Sequence, residues 1–386
     1  MIDKNVKILS LAFLFTFFGY NGVQQFVTPF FSDLGSPKAG FVILILVYSS
    51  FTLSNVFIAG VVQRLGARKS MIIGSVFYSF FIFSLLAKQI FLIYIFAIFL
   101  GIAASFLWIG STSYLVKSSN HKNYGSSSGF FHSSQSLGST VGILLFGALL
   151  NFFSFKFAIL LFAFLPLLGF MISFRLKEIP GVPVVNQPRL IKKTFTNISA
   201  LKLSLIWFSF TFVYGFSQGI LPLEIKKIFG PAFVTLLVIF QAFPILFSYI
   251  IGKISDIKGR NFIISFSFLL TIFSFVFMYL FPHNSIILVS GIIFLALVYA
   301  AILTMRPALV GDISDGKDVE FLTSLFFVMS NLGMLVSLFV PLIIFQAKFV
   351  YLTSIFIMVI SYLVVFSSLK KPVEAVREEI NKFYAR

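Results

Sequence analysis

The 386-residue chain contains no cysteine. This excludes disulfides, thiolate nucleophiles and cysteine-held zinc or iron–sulfur centres. Histidine is scarce as well, with three widely spaced residues that form no ligand cluster, so no metal is expected. Charged residues make up 11% of the chain, where a soluble domain carries about 25%. A chain so poor in charge cannot cover itself with polar surface in water. The twelve acidic residues avoid the midpoints of all apolar stretches. Proton relays inside a membrane rest on buried Asp, Glu or His. Only His132 is placed to serve, and carboxylate-driven proton coupling is not expected. There is no glycine-rich phosphate loop ending in Lys-Ser/Thr, and no motif suggests a Ser-His-Asp or Cys-His set. The sequence therefore predicts no cofactor and no enzyme.

What the chain does hold is apolar: 59% of it, with 56 phenylalanines. A membrane-spanning helix needs about 20 apolar residues, and twelve stretches qualify. The first six are Val6–Phe31, Ala39–Val62, Ser70–Ala87, Ile90–Val116, Gly125–Leu150 and Phe155–Phe174. The second six are Ser199–Leu223, Pro231–Ile254, Phe262–Phe281, Ser285–Met305, Phe321–Phe345 and Phe349–Leu369. The first is too long for a cleaved leader core of about 7–15 residues, so it is expected to remain as a signal anchor. Residues 175–198 carry Pro180, Pro183 and Pro188, which forbid one regular helix through the segment, and read as a linker. After Lys371, the positions Val373, Val376, Ile380 and Phe383 recur at helical spacing. That tail is either an amphipathic helix lying on the inner leaflet or a solvated, frayed end.

A net charge of +17 raises the question of nucleic acid. The distribution argues against it. With the N-terminus inside, only Lys38, Lys88, Lys156, Lys226, Lys227 and Lys348 of the 29 basic residues fall on the outer side. This bias orients the chain with both termini and the linker in the cytoplasm. The expected partners are membrane lipid and a small solute, in a monomer of the plasma membrane.

Two short loops repeat. One is Ala59-Gly60-Val61-Val62-Gln63-Arg64-Leu65-Gly66-Ala67-Arg68-Lys69, and the other is Gly252-Lys253-Ile254-Ser255-Asp256-Ile257-Lys258-Gly259-Arg260-Asn261. Gly66 and Gly259 are 193 residues apart (259 − 66), half of 386. The same offset carries Gln63 onto Asp256, Gly22 onto Gly215, Gln25 onto Gln218 and Pro29 onto Pro222. The chain thus reads as an all-α membrane protein of twelve transmembrane helices in two pseudo-symmetric six-helix bundles. Residues 1–174 form the first bundle and 199–369 the second, joined by linker 175–198 and followed by tail 370–386.

This arrangement resembles the major facilitator superfamily, whose loop signature Gly-x-x-x-Asp-x-x-Gly-Arg is matched by Gly252, Asp256, Gly259 and Arg260. The first copy departs from it, with Ala59, Gln63 and Ala67 at the Gly, Asp and Arg positions, while Arg64, Gly66 and Arg68 still fit. The resemblance implies secondary transport by alternating access. In it, the loop acid latches onto basic residues and a helix start in the opposite half. Asp256 is then expected beside Gly125–Ser128, and the latch at Gln63 is expected to be the weaker. The first half is also similar to the ion-channel-regulator-like "uncoordinated" branch. The residues that carry this are Gln24-Gln25, Leu34-Gly35, Tyr48-Ser49-Ser50-Phe51, Arg64-Leu65-Gly66 and Gly101–Gly110 with Tyr114-Leu115. That branch implies a rival function: a non-transporting regulator or escort of a membrane-protein client.

Polar residues within spans are candidates for a substrate cavity, and the competing explanation is helix–helix hydrogen bonding worth about 0.6 kcal/mol on average. Asn21 and Gln25 lie near the middle of the first span, and Tyr214 and Gln218 repeat the arrangement in the seventh. His132 and Gln135 share a face of the polar fifth span. Trp108 either walls a site or belongs to an interface belt. Gln241 and Asn331 are weaker members. Arg306, read as the inner end of the tenth span, either attracts an anion or anchors the helix at the inner surface. A lining of amides, hydroxyls and aromatics suggests a neutral, aromatic-tolerant solute.

Overall fold

The structure is a computed structural model. It describes all residues except 1, 34–36, 88, 184–185, 230–236, 283, 315–317, 344–346, 372 and 386. Within helices, the side chains of 28–29, 32–33, 37–38, 41, 216–220, 222–224, 226–227, 338, 340–343, 347, 373 and 381–385 are also outside the description.

Helix is the only regular structure among the described residues. The order is α1 (Lys4–Asp33), α2 (Pro37–Leu65), α3 (Ala67–Ser84), α4 (Ile90–Lys117), α5 (Tyr124–Leu150), α6 (Phe155–Ser173) and α7 (Gln187–Thr196). It continues through α8 (Ile198–Phe229), α9 (Ile239–Lys258), α10 (Arg260–Leu280), α11 (Ser285–Ile313), α12 (Val319–Ile343), α13 (Ala347–Leu369) and α14 (Val373–Ala385). A backbone in lipid must satisfy its own hydrogen bonds, which is why such an apolar chain folds into long helices. Eleven of them are long and apolar enough to cross a membrane. The remaining long one, α9, carries Gln241, Lys253 and Asp256 within its 20 residues. The start of its sequence-derived span, from Pro231, lies outside the described residues.

Two compact units are resolved. Unit 1 comprises residues 1–120, 130–191 and 319–324, and unit 2 comprises 121–129, 192–318 and 325–386. In unit 1, α1 packs on α6, and α2 and α3 pack on α4. Its core is aromatic, with Phe13, Phe17, Tyr20 and Tyr78 all buried. Helix α5 crosses α1 with almost no gap: a Cβ on Gly138 would stand 2.1 Å from the Leu14 carbonyl oxygen, and one on Gly142 would stand 2.2 Å from that of Phe18. These two glycines therefore serve packing. In unit 2, α11 packs on α9 and α10, and α13 on α10 and α8.

Two sequence readings change, at the end of the tenth span and in the tail, and the linker acquires a short helix. The tenth span does not end at Met305. Helix α11 runs through Pro307 to Ile313, so Arg306 is a buried helix-interior residue rather than an end anchor. Membrane helices tolerate an internal proline where neighbouring groups satisfy the freed carbonyl. Within the linker, α7 begins only after Pro180 and Pro183, so no single helix runs through the segment. Pro188 stands at the second residue of α7, where its missing N–H costs nothing, and the Asn186 side chain accepts from the Arg189 N–H at 3.2 Å. The tail is helical rather than frayed, and of its apolar stripe the side chains of Val373 and Phe383 lie outside the described residues. In α14, Val376 and Ile380 are buried, and the helix packs on α11 and α8. Arg377 donates to the Asp312 carbonyl at 2.8 Å, and Ser199 donates to Glu379 at 2.9 Å. The Glu379 carboxyl is held below its ordinary range, first by its bond from Lys371 and then by the one from Ser199.

Candidate functional site

The two repeated loops share a backbone geometry that only glycine adopts without strain. Gly66 has φ 86 and ψ 150, and Gly259 has φ 90 and ψ 153. Each glycine ends one long helix and begins the next within a single residue.

Around the second loop, charges converge in unit 2. Asp256 accepts from the Gly125 and Ser126 N–H groups, each at 2.8 Å, and from the Ser126 hydroxyl. It thereby caps the N-terminus of α5, where free N–H groups and the helix dipole favour a carboxylate. Arg260 donates to Asp256 at 2.6 Å and, through Nε, to Asp312 at 2.8 Å. Arg260 and Asp256 are nearly buried, with side chains 5% and 9% exposed. Gly252 brings the two backbones together, since a Cβ there would stand 2.2 Å from the Gly125 carbonyl oxygen.

The first loop has different partners. The carbonyl of Gln63 accepts from the Val182 N–H at 2.8 Å. Arg68 pairs with Glu178 at 2.8 Å and donates to the Phe174 carbonyl, and Lys69 reaches Glu178 at 3.2 Å. These contacts fasten loop to linker, and Arg64 is exposed beside them. The Glu178 carboxyl is held below its usual range, chiefly by the hydrogen bond from Lys69.

The acid missing at position 63 has a counterpart elsewhere in unit 1. Glu320, at the start of α12, is fully buried. One of its oxygens accepts from the Ser113 hydroxyl and from Lys117 Nζ, both at 2.6 Å, while Oε2 has no hydrogen-bond partner. Ser324 on the next turn donates to the Asn55 carbonyl at 2.7 Å. Sequence reasoning missed Lys117 and Glu320 because both read as loop charges flanking a span. Neither residue carries a local signal, because the partners lie about two hundred residues apart in sequence.

Among the cavity candidates, unit 1 holds Asn21, Gln25, Trp108, His132 and Gln135. Asn21 donates to the Ser139 hydroxyl at 2.7 Å, which links α1 to α5. Trp108 packs on Phe13 and Phe17, with ring centroids 5.5 and 5.2 Å away. His132 is buried, and its Nδ1 is 3.0 Å from Gln135 Oε1. Gln25 is exposed on α1 and is not drawn into this group. In unit 2, the Tyr214 ring stacks on Tyr299 at 4.4 Å and its hydroxyl accepts from Gln241 at 3.3 Å. Asn331 is buried on α12. The Gln218 side chain lies outside the described residues. Arg306 donates to Ser330 at 3.0 Å and lies over the Phe327 ring at 4.6 Å. Tyr299 and Ser330 were not read from sequence, because a lone Tyr or Ser in an apolar run carries no periodic signal. No group of three or more His, Cys, Asp or Glu residues suited to a metal occurs among the described residues.

Comparison with known proteins adds three findings. A family model described as Major Facilitator Superfamily matches residues 9–230 and 203–383. "UNC93-like protein 3" of Arabidopsis thaliana is 30% identical over 112 residues, which is 29% of this chain and 23% of that protein. The "Putative potassium channel regulatory protein unc-93" of Caenorhabditis elegans is 33% identical over 117 residues, 30% of this chain and 16% of that protein. The match thus spans under a quarter of either relative's length. Among solved structures, the transporter FucP in the outward conformation superposes with a TM-score of 0.76 at 11% identity, covering 95% of this chain and 99% of that one. At that identity the likeness is one of fold.

Proposed function

Since this chain belongs to the Major Facilitator Superfamily, we propose that it is a secondary transporter moving a small solute by alternating access. The observation that carries the reading is the duplicated loop: two glycines in one rare conformation, 193 residues apart (259 − 66), with a buried acid network at the second. A device that holds a helix start by charge and releases it suits a protein that must alternate between two states. Ligand shifts such a balance only by binding the two states unequally. The moving parts are bundles 1–174 and 199–369, with a site between the repeats near the bilayer midplane, as in other transporters built from repeats. Asn21, Trp108, His132 and Gln135 in one bundle and Tyr214, Gln218 and Asn331 in the other are the proposed lining. Gln25, exposed on α1, joins it only from that helix's outer part.

A second reading is supported by the similarity to the nematode protein, whose name describes a channel regulator. There the same fold would present a helix surface to a client and have no substrate cycle. Cysteine pairs introduced on this cysteine-free chain discriminate the two. A transporter cross-links alternately on its two sides as solute is added or removed, and reconstituted liposomes take up solute. Cross-linking on one side under every condition, with no uptake of any solute tested, would leave the regulator.

The proposed orientation puts both termini and the linker in the cytoplasm, in the plasma membrane. A cysteine at Asn186 should resist an impermeant reagent added to intact cells, and one at Lys38 should react. The reverse pattern would invert the topology.

A further inference from the structure

Arg306 is the outstanding unused charge of unit 2. It sits seven residues before the end of α11 (313 − 306), about 10 Å along the axis, and is 9% exposed. No carboxylate among the described residues pairs with it. One nitrogen donates to Ser330, and its Nε is buried without a partner. A charge at such depth in a span is costly and defaults to a functional role. The surroundings repeat one pattern. Trp207, whose ring is 6.0 Å from the guanidinium carbon, is fully buried with its indole N–H unpartnered. Asn331 is buried and follows Ser330, and its amide nitrogen is also unpartnered. Phe327, Ser330 and Asn331 stand at i, i+3 and i+4 and share one face of α12. The orphan groups of this cluster are therefore donors. Buried donors are ordinarily satisfied, and a cluster of them around a cation calls for an acceptor bearing negative charge.

We propose that Arg306, Trp207, Ser330 and Asn331 form a binding site for an organic carboxylate with an apolar or aromatic body. The guanidinium and amide take the carboxylate, and Phe327 and Trp207 flank the body. This rests on the transporter reading and sharpens it, because it replaces the neutral solute suggested by composition with an organic anion. Arginine suits the task, since its planar fork matches a carboxylate with two parallel bonds.

The test uses the unaltered full chain in detergent. Benzoate, its neutral isostere benzamide and inorganic phosphate are titrated while the heat of binding is followed by calorimetry. Benzoate should bind saturably, with at least ten-fold higher affinity than benzamide, and phosphate should not displace it at equal concentration. Arg306→Met should weaken benzoate at least ten-fold, and Arg306→Lys should retain part of the affinity. An Arg306 that is merely structural predicts the opposite: Arg306→Met, replacing a buried charge by a hydrophobe, leaves the melting temperature unchanged or raised and any benzoate response intact. Equal affinity for benzoate and benzamide, no saturable response, or displacement by phosphate would each overturn the proposal. Should Arg306→Met fail to fold, the comparison of benzoate with benzamide on the unaltered arginine still decides. Liposome uptake separates this proposal from the transporter reading. Arg306-dependent binding without uptake keeps the site and rejects transport, and uptake indifferent to Arg306 does the reverse.

Discussion

Replacing Asp256 by Asn should detach the start of α5 from the second loop. The carboxylate holds two backbone N–H groups, a hydroxyl and Arg260 at once. Asn keeps the shape and one acceptor oxygen but loses the charge. Partly buried contacts of a charge with a helix terminus reach about 2 kcal/mol, and hydrogen bonds to charged groups contribute about 1.5–3 kcal/mol. Arg260 retains Asp312, so the full cost of about 3–5 kcal/mol for orphaning a buried ion is not reached. A loss of about 2 kcal/mol corresponds to roughly a thirty-fold shift of the local equilibrium toward the detached state. Spin labels at Lys122 and Lys258, both exposed and both in unit 2, read that separation. Lys253→Gln removes a charge from the same loop without touching the network and should leave the distances alone. If Asp256 only offsets the neighbouring lysines in solvent, the two substitutions will behave alike, and that result would refute the latch.

The second large effect is expected at Lys117 and Glu320. Lys117→Met strands a fully buried carboxylate with one hydroxyl partner. Breaking a buried pair from this side costs about 3–5 kcal/mol, part of which the protein recovers by protonating the acid. Glu320→Gln is the milder change, because the Lys117 side chain is 22% exposed and its ammonium can reach toward water. The double variant should therefore be more stable than Lys117→Met alone, since a neutral amide replaces the stranded charge and still accepts from Ser113. Melting of the four proteins in detergent gives the coupling directly. Equal losses for the two single variants, adding in the double, would show that the pair contributes no more than a surface contact.

These two sites also show which parts of the molecule were legible in advance. The all-α membrane fold could be read because lipid leaves so few choices: long apolar runs must become helices, and their positions follow from length and hydropathy. The second loop could be read from its own residues in part, through the Gly259 backbone conformation and the Asp256–Arg260 pair one helical turn apart, while the α5 start that Asp256 holds, about 130 residues earlier, was reached through the family resemblance. Glu320 could not be read in the same way. Its partners are Ser113 and Lys117, about two hundred residues earlier, and no local pattern distinguishes it from an ordinary charge beside a span.

Sequence alone determined the helix content, the internal repeat and the family. Hydrophobic length, the 193-residue offset and the loop signature are properties of the linear order, and each has a direct physical consequence for the backbone. Tertiary structure alone decided which charges are buried and what they meet. It carried α11 past Pro307 and so placed Arg306 among Trp207, Phe327 and Ser330. It also folded α14 onto α8 and α11. The physical reason is the same in each case. The cost of a charge depends on the dielectric and the donors around it, and those come from helices distant in sequence.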